Sequence, residues 1–314
     1  MITIQGDYEY FSHPENGETL AANRRTGEVI ETMTVICPVG SRVTTPEQRK
    51  RNKEKAARGT LRRLSNRDLP FGHFCFVSLE ERFENMSPEN LARLVYLSTY
   101  IKYNSNKLML TNKTVMKQND LQTLFKVSRT TVHRFLKEAA KYLDINNGEL
   151  SFKNANIFAK GEMRGKLGAS LFQKIYIDGV RSLYETATKA DNKKEVLRRF
   201  GYILKLLPFV NVEHNILCHN PLETDPDKIE LLTLSEFCEY VGYSSENASR
   251  LADVYNEIYF EMNGERKRLC VITYEGHNNL DAKVCINPRI FYSGSFPERV
   301  KIFEVLSRCK NKSR

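Results

Sequence analysis

The residues best suited to chemistry in this sequence lie on one predicted helix, residues 128–143. Apolar side chains recur along it at helical spacing and predict a buried face made of Val132, Phe135, Leu136, Ala139, Ala140 and Leu143. The other face carries the hydroxyl and cationic groups of Arg129, Thr130, Thr131, His133, Arg134, Lys137 and Lys141. Arginine pairs with guanine edges, and cations pair with phosphates, so the pattern predicts contact with the major groove of double-stranded DNA.

A shorter helix and a turn precede this segment. Leu121, Leu124 and Phe125 form its apolar stripe, and Ser128 is placed to cap the next helix by accepting a backbone N–H. The pattern is that of a helix-turn-helix, in which the second helix enters the groove. Taken alone, it is equally compatible with an ordinary helical hairpin that has a solvated basic face.

The flanking sequence predicts a scaffold for this motif. Ser87 and Pro88 mark the start of an upstream helix, and residues 108–110 predict a short strand. After the motif, residues 145–152 contain an Asn-Gly hairpin signal, and residues 157–158 predict part of a returning strand. This order of elements is typical of a winged helix.

A shift of 116 residues reveals a weaker second copy of the motif. At this offset Leu121 aligns with Phe237, and Ser128 aligns with Ser244. Thr233 is a predicted helix cap in the second copy, and a helix is predicted upstream of it near 196–207. Strands at 269–274 and 283–286 predict a second wing. Two hypotheses remain open for this copy: it contacts DNA, which we favour slightly, or it binds a second copy or a partner. Its candidate groove residues are Ser245, Asn247 and Arg250.

The net positive charge comes from two segments, since the positive and negative residues of the rest of the chain balance. Of the formal net charge of +10, residues 46–68 supply +6, with nine Lys/Arg against three Asp/Glu, and the last ten residues supply +4. We expect these segments to follow phosphates, which positions a protein on DNA without specifying sequence. The leading candidates are Arg49, Lys50, Arg51, Arg62 and Arg63.

The predicted fold class is α+β, mainly α, with two winged-helix domains in tandem and a small N-terminal β element. The predicted boundaries are 1–87 for the β element and basic arm, 88–190 for the first domain with a connecting helix near 179–188, and 191–314 for the second. The polar segment 189–193 separates the two modules. Strands are also expected at 71–77 and 172–178.

Several enzymatic patterns are missing from the sequence. No His-x-His pair or His-x-x-Arg element occurs, and residues 161–168 (GEMRGKLG) depart from a P-loop in spacing and lack Ser/Thr after Lys. The seven cysteines form no Cys-x-x-Cys pair, and Cys218-His219 with His214 lacks a fourth metal ligand. We therefore expect neither an enzyme nor a metal or cofactor. No apolar run approaches the length of a membrane span, and no signal peptide is indicated, so a cytoplasmic protein is expected.

The two motifs, LFKVSRTTVHRFLKEA and CEYVGYSSENASRL, together with INPRIFYSG at 286–294, resemble theta-type plasmid replication initiators and related helix-turn-helix proteins of Gram-positive plasmids and phages. The resemblance covers about residues 88–300 and implies a sequence-specific DNA-binding protein that acts by occupancy, as replication initiator or autorepressor. Alternatives are a transcriptional regulator controlled by an effector or partner, and a nucleic-acid enzyme. The sequence leaves open whether the chain binds DNA as a monomer or a homodimer.

Overall fold

A computed structural model gives the fold. The structure describes residues 8–12, 19–23, 26, 29–30, 71–79, 81, 83–111, 113–154, 157–161, 172–244, 248–274, 282–294, 296–300, 303 and 306–307. The chain divides into two compact units, Met1–Arg63 and Leu64–Arg314. The fold is α+β, with helices and small antiparallel sheets. No helix among the described residues has the length and apolarity needed to cross a bilayer.

The first unit contains a three-stranded antiparallel sheet. Its strands are β1 (Tyr8–Ser12), β2 (Thr19–Asn23) and β3 (Val29–Ile30), in the order β1-β2-β3. This agrees with the small β element expected at the N-terminus. The basic segment 46–68 lies outside the described residues.

The first half of the second unit holds the elements around the leading motif. Strand β4 (Phe74–Ser78) precedes α1 (Pro88–Ser98), α2 (Asp120–Phe125) and α3 (Arg129–Glu138), which continues as a 3₁₀ turn over Ala139–Lys141. The hairpin strands β5 (Leu143–Asn146) and β6 (Glu149–Phe152) follow. Strands β7 (Phe158–Ala159) and β8 (Phe172–Tyr176) flank β4 in an antiparallel sheet of order β7-β4-β8.

The second half begins with two amphipathic helices, α4 (Ile177–Lys189) and α5 (Lys193–Lys205). Helices α6 (Leu234–Tyr240) and α7 (Ala248–Asn256) carry the second motif. Two antiparallel hairpins follow, β9 (Tyr259–Met262) with β10 (Glu265–Arg268), and β11 (Cys270–Tyr274) with β12 (Ala282–Ile286). The helices predicted upstream of each motif and near 179–188 are all observed, with shifted ends.

One hydrophobic core joins the two halves of this unit. It extends from Cys75 to Phe291 and includes Phe125 and Phe200, both fully buried. Tyr96 of α1 stacks on Tyr184 of α4, with ring centroids 3.9 Å apart and planes 7° from parallel. The division of the chain falls after Arg63, whereas the predicted N-terminal part ends at residue 87. The polar segment 189–193 is a short connection between α4 and α5, whose buried faces share this core.

Candidate nucleic-acid interface

A tight turn sets the start of α3. Lys126 adopts a left-handed conformation, φ 52° and ψ 50°, and ends α2. The hydroxyl of Ser128 accepts the backbone N–H of Thr131 at 3.3 Å, as the sequence predicted. This cap satisfies one of the donors that a helix leaves free in its first turn and fixes where α3 begins.

The apolar side of α3 is packed into the core. Val132 and Phe135 are buried, and the rings of Phe125 and Phe135 meet edge to face at 5.1 Å. The helix ends at Glu138, earlier than the predicted residue 143, because Leu143 already belongs to β5. Ala140, expected on the buried face, is exposed in the 3₁₀ turn that follows the helix. The packing of its apolar side holds α3 in place, so its polar side remains available for contacts with a binding partner.

The polar side of α3 is open. Of the residues predicted to contact DNA, Thr131 is half-buried. The others are exposed, and within the described part of the chain their side chains make no hydrogen bond or ion pair. These residues are Arg129, Thr130, His133, Arg134 and Lys137. Unpaired cations on a rigid helix are available to base edges and phosphates without breaking internal contacts. Helix α5 of the second half borders this surface at Thr131 and Arg134, where Lys193 and Lys194 line a cleft with them, and Arg134 remains exposed.

The hairpin after α3 forms with a tight two-residue turn. Asn147 and Gly148 both have positive φ, 51° and 79°, which matches the right-handed twist of the paired strands. A third segment pairs with β6: the N–H of Leu108 donates to Leu150 at 3.1 Å, and that of Leu150 donates to Met116 at 2.9 Å. The strand expected at 108–110 is thus present only as isolated bridges.

The second motif has the cap predicted at Thr233. Thr233 and Glu236 form a reciprocal capping box at the start of α6, and Gly242 provides the positive φ, 74°, in the turn. Arg250 on α7 is exposed. Ser245 and Asn247 lie outside the described residues.

The repeat extends beyond the helices, into the hairpin that follows each pair. The shift of 116 residues places Asn147-Gly148 on Asn263-Gly264, whose φ angles are 54° and 76°. Each pair is followed by glutamate and lies between paired strands, β5–β6 in one copy and β9–β10 in the other. The second of these hairpins was not predicted, and its sequence signal is the repeated Asn-Gly-Glu, 116 residues apart.

This hairpin lies between α7 and the two strands predicted as the second wing. The strands expected at 269–274 and 283–286 exist as β11 and β12, but the element that follows α7, as β5–β6 follows α3, is β9–β10. The side chain of Ser182 on α4 accepts the N–H of Glu261 at 3.1 Å and donates to its carbonyl. The β9 strand is therefore attached to α4.

Several predicted residues lie in parts of the chain that the structure does not describe. Arg49, Lys50, Arg51, Arg62 and Arg63 lie outside the described residues, as do most of residues 161–168.

Cys218 and His219 have separate surroundings in the structure. Burial raises the pKa of the Cys218 thiol to about 11, while His219 Nε2 lies 3.2 Å from a Glu236 carboxylate oxygen. Within the described residues no group of three metal-ligating side chains is found.

Comparisons with known proteins found no relative. The chain matches no family model, no curated protein and no solved structure. The α+β fold, the capped α3 and its open cationic side are therefore the observations on which a function must rest.

Proposed function

We propose that this chain is a sequence-specific double-stranded-DNA-binding protein of a mobile element, which acts by occupying its site as a replication initiator or autorepressor. The observation that carries the proposal is α3: a helix anchored by Val132 and Phe135, with the unpaired side chains of Arg129 and His133 on its open side. An α-helix presented in this way fits the width of the major groove.

The order of elements around α3 supports a winged-helix domain. Helix α1, the bridged segment near Leu108, helices α2 and α3, and the hairpin β5–β6 follow one another as in that architecture. In it the hairpin lies beside the recognition helix, and exposed Asn146 and Asn147 at this hairpin's end are placed to meet the sugar-phosphate backbone.

The repeat supports a tandem arrangement of two such modules. Helices α6 and α7 with hairpin β9–β10 repeat α2, α3 and β5–β6 at a spacing of 116 residues. Two modules in one chain favour a long or bipartite DNA site, with Arg250 as the described candidate residue of the second. The basic segment 46–68 adds phosphate contacts that are independent of sequence.

Sequencing of the genomic fragments that the purified chain retains tests this proposal. We expect a small set of enriched duplex sites, clustered as repeats for an initiator or placed at the promoter of the protein's own gene for an autorepressor. A variant with Arg129→Ala and His133→Ala, which changes only exposed side chains, should lose this enrichment while retaining its circular dichroism spectrum. Retention of all fragments without enrichment would refute sequence-specific binding.

A further inference from the structure

A cleft lies against one side of α3, next to the surface proposed to contact DNA. Its volume is about 470 Å³, within the range of ~300–1,000 Å³ that small-molecule sites occupy. Ser128, Thr131 and Arg134 line it from α3, and Arg93 lines it from α1. Two of the residues predicted to contact DNA, Thr131 and Arg134, therefore also belong to this cleft.

Three helices begin at the cleft. The start of each helix contributes to the lining of the cleft. Glu89 and Asn90 come from α1, Ser128 comes from the N-cap of α3, and Lys193 and Lys194 come from α5. Each helix has at least ten residues, and a helix N-terminus carries a partial positive charge. Glu138 already caps α1 through Ser87, so the first turns of α3 and α5 are the ones that face an incoming ligand. Their convergence favours an anion.

Arg93 provides an independent indication of a ligand. Its side chain is more than nine-tenths buried, with 8% of the residue exposed. Nη1 donates to the side-chain oxygen of Asn90, whereas Nε has no hydrogen-bond acceptor. The charge of Arg93 helps to lower the pKa of Glu138, and its charge and hydrogen bonding also act on the Tyr184 hydroxyl, whose pKa burial raises. Among the described residues, no carboxylate oxygen lies within ion-pair distance of this guanidinium. Because a buried charge without a directly bonded opposite partner is costly, this guanidinium is suited to an incoming anion.

The balance of charge in the cleft is positive. Arg93, Arg134, Lys193 and Lys194 face two carboxylates, Glu89 and Glu138. Glu138 is already occupied, since it accepts two hydrogen bonds from Ser87. The hydroxyls of Ser128 and Thr131 line the cleft together with the guanidinium and ammonium groups. Planar guanidinium forks with hydroxyl and helix N–H donors are the groups that bind phosphate.

We propose that this cleft binds a small phosphate-bearing ligand, with the phosphate held by Arg93 and Arg134 and by the first turns of α3 and α5. The burial of Arg93 favours a small molecule that enters the cleft over a phosphate fixed in a duplex backbone. The volume accommodates a phosphomonoester of nucleotide size. This site does not require the proposed DNA binding, because its lining is complete in the chain alone.

Isothermal titration calorimetry on the full chain tests the proposal, with inorganic phosphate and adenosine monophosphate as separate probes at constant ionic strength. Saturable binding at one site per chain is expected for both. The variant Lys193→Ala/Lys194→Ala, at exposed positions, should weaken it about tenfold or more. The matched variant Lys228→Ala/Arg266→Ala removes two exposed cations outside the cleft and should leave it unchanged.

A conservative change at Arg93 tests whether phosphate binding depends on the positive charge alone or also on the planar shape of the guanidinium. Arg93→Lys keeps the positive charge but lacks the fork, so phosphate affinity should fall while the circular dichroism spectrum is retained. Absence of saturable binding to the wild-type chain would overturn the proposal. Equal affinities in the cleft variant and the matched variant would place the phosphate elsewhere, which also overturns it. The proposal would also be overturned if the variant Lys193→Ala/Lys194→Ala changed the affinity for duplex DNA while neither inorganic phosphate nor adenosine monophosphate bound to the chain.

Discussion

Glu138, in the last turn of α3, accepts hydrogen bonds from both the backbone N–H and the hydroxyl of Ser87, at 2.8 and 2.7 Å. Ser87 is the residue before the first turn of α1, and its side chain makes no cap within its own helix. A carboxylate from α3 therefore caps α1 from 51 residues further along the chain. This link fixes the end of α3 against α1 and so contributes to the orientation of the surface proposed to meet DNA.

The first prediction concerns this link and pH. Burial raises the pKa of the Glu138 carboxyl, but hydrogen bonds from Asn90 and Ser87 and the charge of Arg93 outweigh it, so the net pKa is lowered. The stabilisation is therefore complete above the unfolded-state pKa of about 4.3 and is lost as pH falls through the lower folded value. Glu138→Gln should cost about 1 kcal/mol at neutral pH and progressively less in acid.

Urea unfolding at a series of pH values measures this difference. The matched change Glu239→Gln, at an exposed position on α6, should leave stability nearly unchanged at every pH. A Glu138→Gln penalty that stays constant into acid would show that the carboxylate charge is not what stabilises the link.

The second prediction concerns Arg129. If it pairs with a guanine, Arg129→Ala should cost about 1–3 kcal/mol on the specific site and relax the choice of base at one position. Fluorescence anisotropy with the enriched duplex and with a random duplex measures both effects. An equal reduction of affinity for the two duplexes would contradict a base-reading role for this residue.

The third prediction concerns the basic segment. Neutralising Arg49, Lys50 and Arg51 should weaken binding to all sequences alike, because phosphate contacts carry no sequence information. For each phosphate that is no longer neutralised, the slope of log K against log salt should become shallower by about 0.9. Affinities measured over a salt series give this slope, and an unchanged slope would exclude these residues from phosphate binding. Arg62 and Arg63 can be tested in the same way.

The fourth prediction uses the two matched hairpin turns. Gly148 and Gly264 have φ of 79° and 76°, and an added Cβ meets no atom within 4 Å at either position. Alanine at either site should therefore cost about 1–2 kcal/mol through backbone strain alone. DNA affinity should fall more for Gly148→Ala than for Gly264→Ala, because Ser182 holds β9 against α4. An equal fall in DNA affinity for Gly148→Ala and Gly264→Ala would contradict this difference and would mean that both hairpins contribute equally to DNA binding.

Local features of this chain were predictable from its sequence, because the residues that decide them lie within one turn of each other. The cap at Ser128 and the Asn147-Gly148 turn are confirmed for this reason. The strands predicted at 269–274 and 283–286 are observed as β11 and β12. The hairpin at Asn263-Gly264 was not predicted, because its signal shows only when the two copies are aligned at the offset of 116 residues.

Features built from distant segments were not predictable in the same way. The acceptor for Ser87 lies on another helix, at Glu138. The phosphate cleft joins residues of α1, α3 and α5, and its most informative group, Arg93, occupies a helix position that local patterning assigns simply to a charged surface residue. Only the packing of α1 against its neighbours determines that this arginine is buried.

The fifth prediction tests that packing at Gly201, where the backbone of α5 lies directly against that of α1. A Cβ at this position would overlap the backbone carbonyl of Pro88, which cannot move aside as a flexible side chain would. Helix propensity alone predicts that Gly201→Ala stabilises α5 by about 1 kcal/mol, whereas the overlap should destabilise the chain by about 2–3 kcal/mol. Urea unfolding gives the sign directly. Because the cleft is lined by both helices, phosphate affinity should fall together with stability, and a stabilised variant would mean that α1 and α5 are not closely packed.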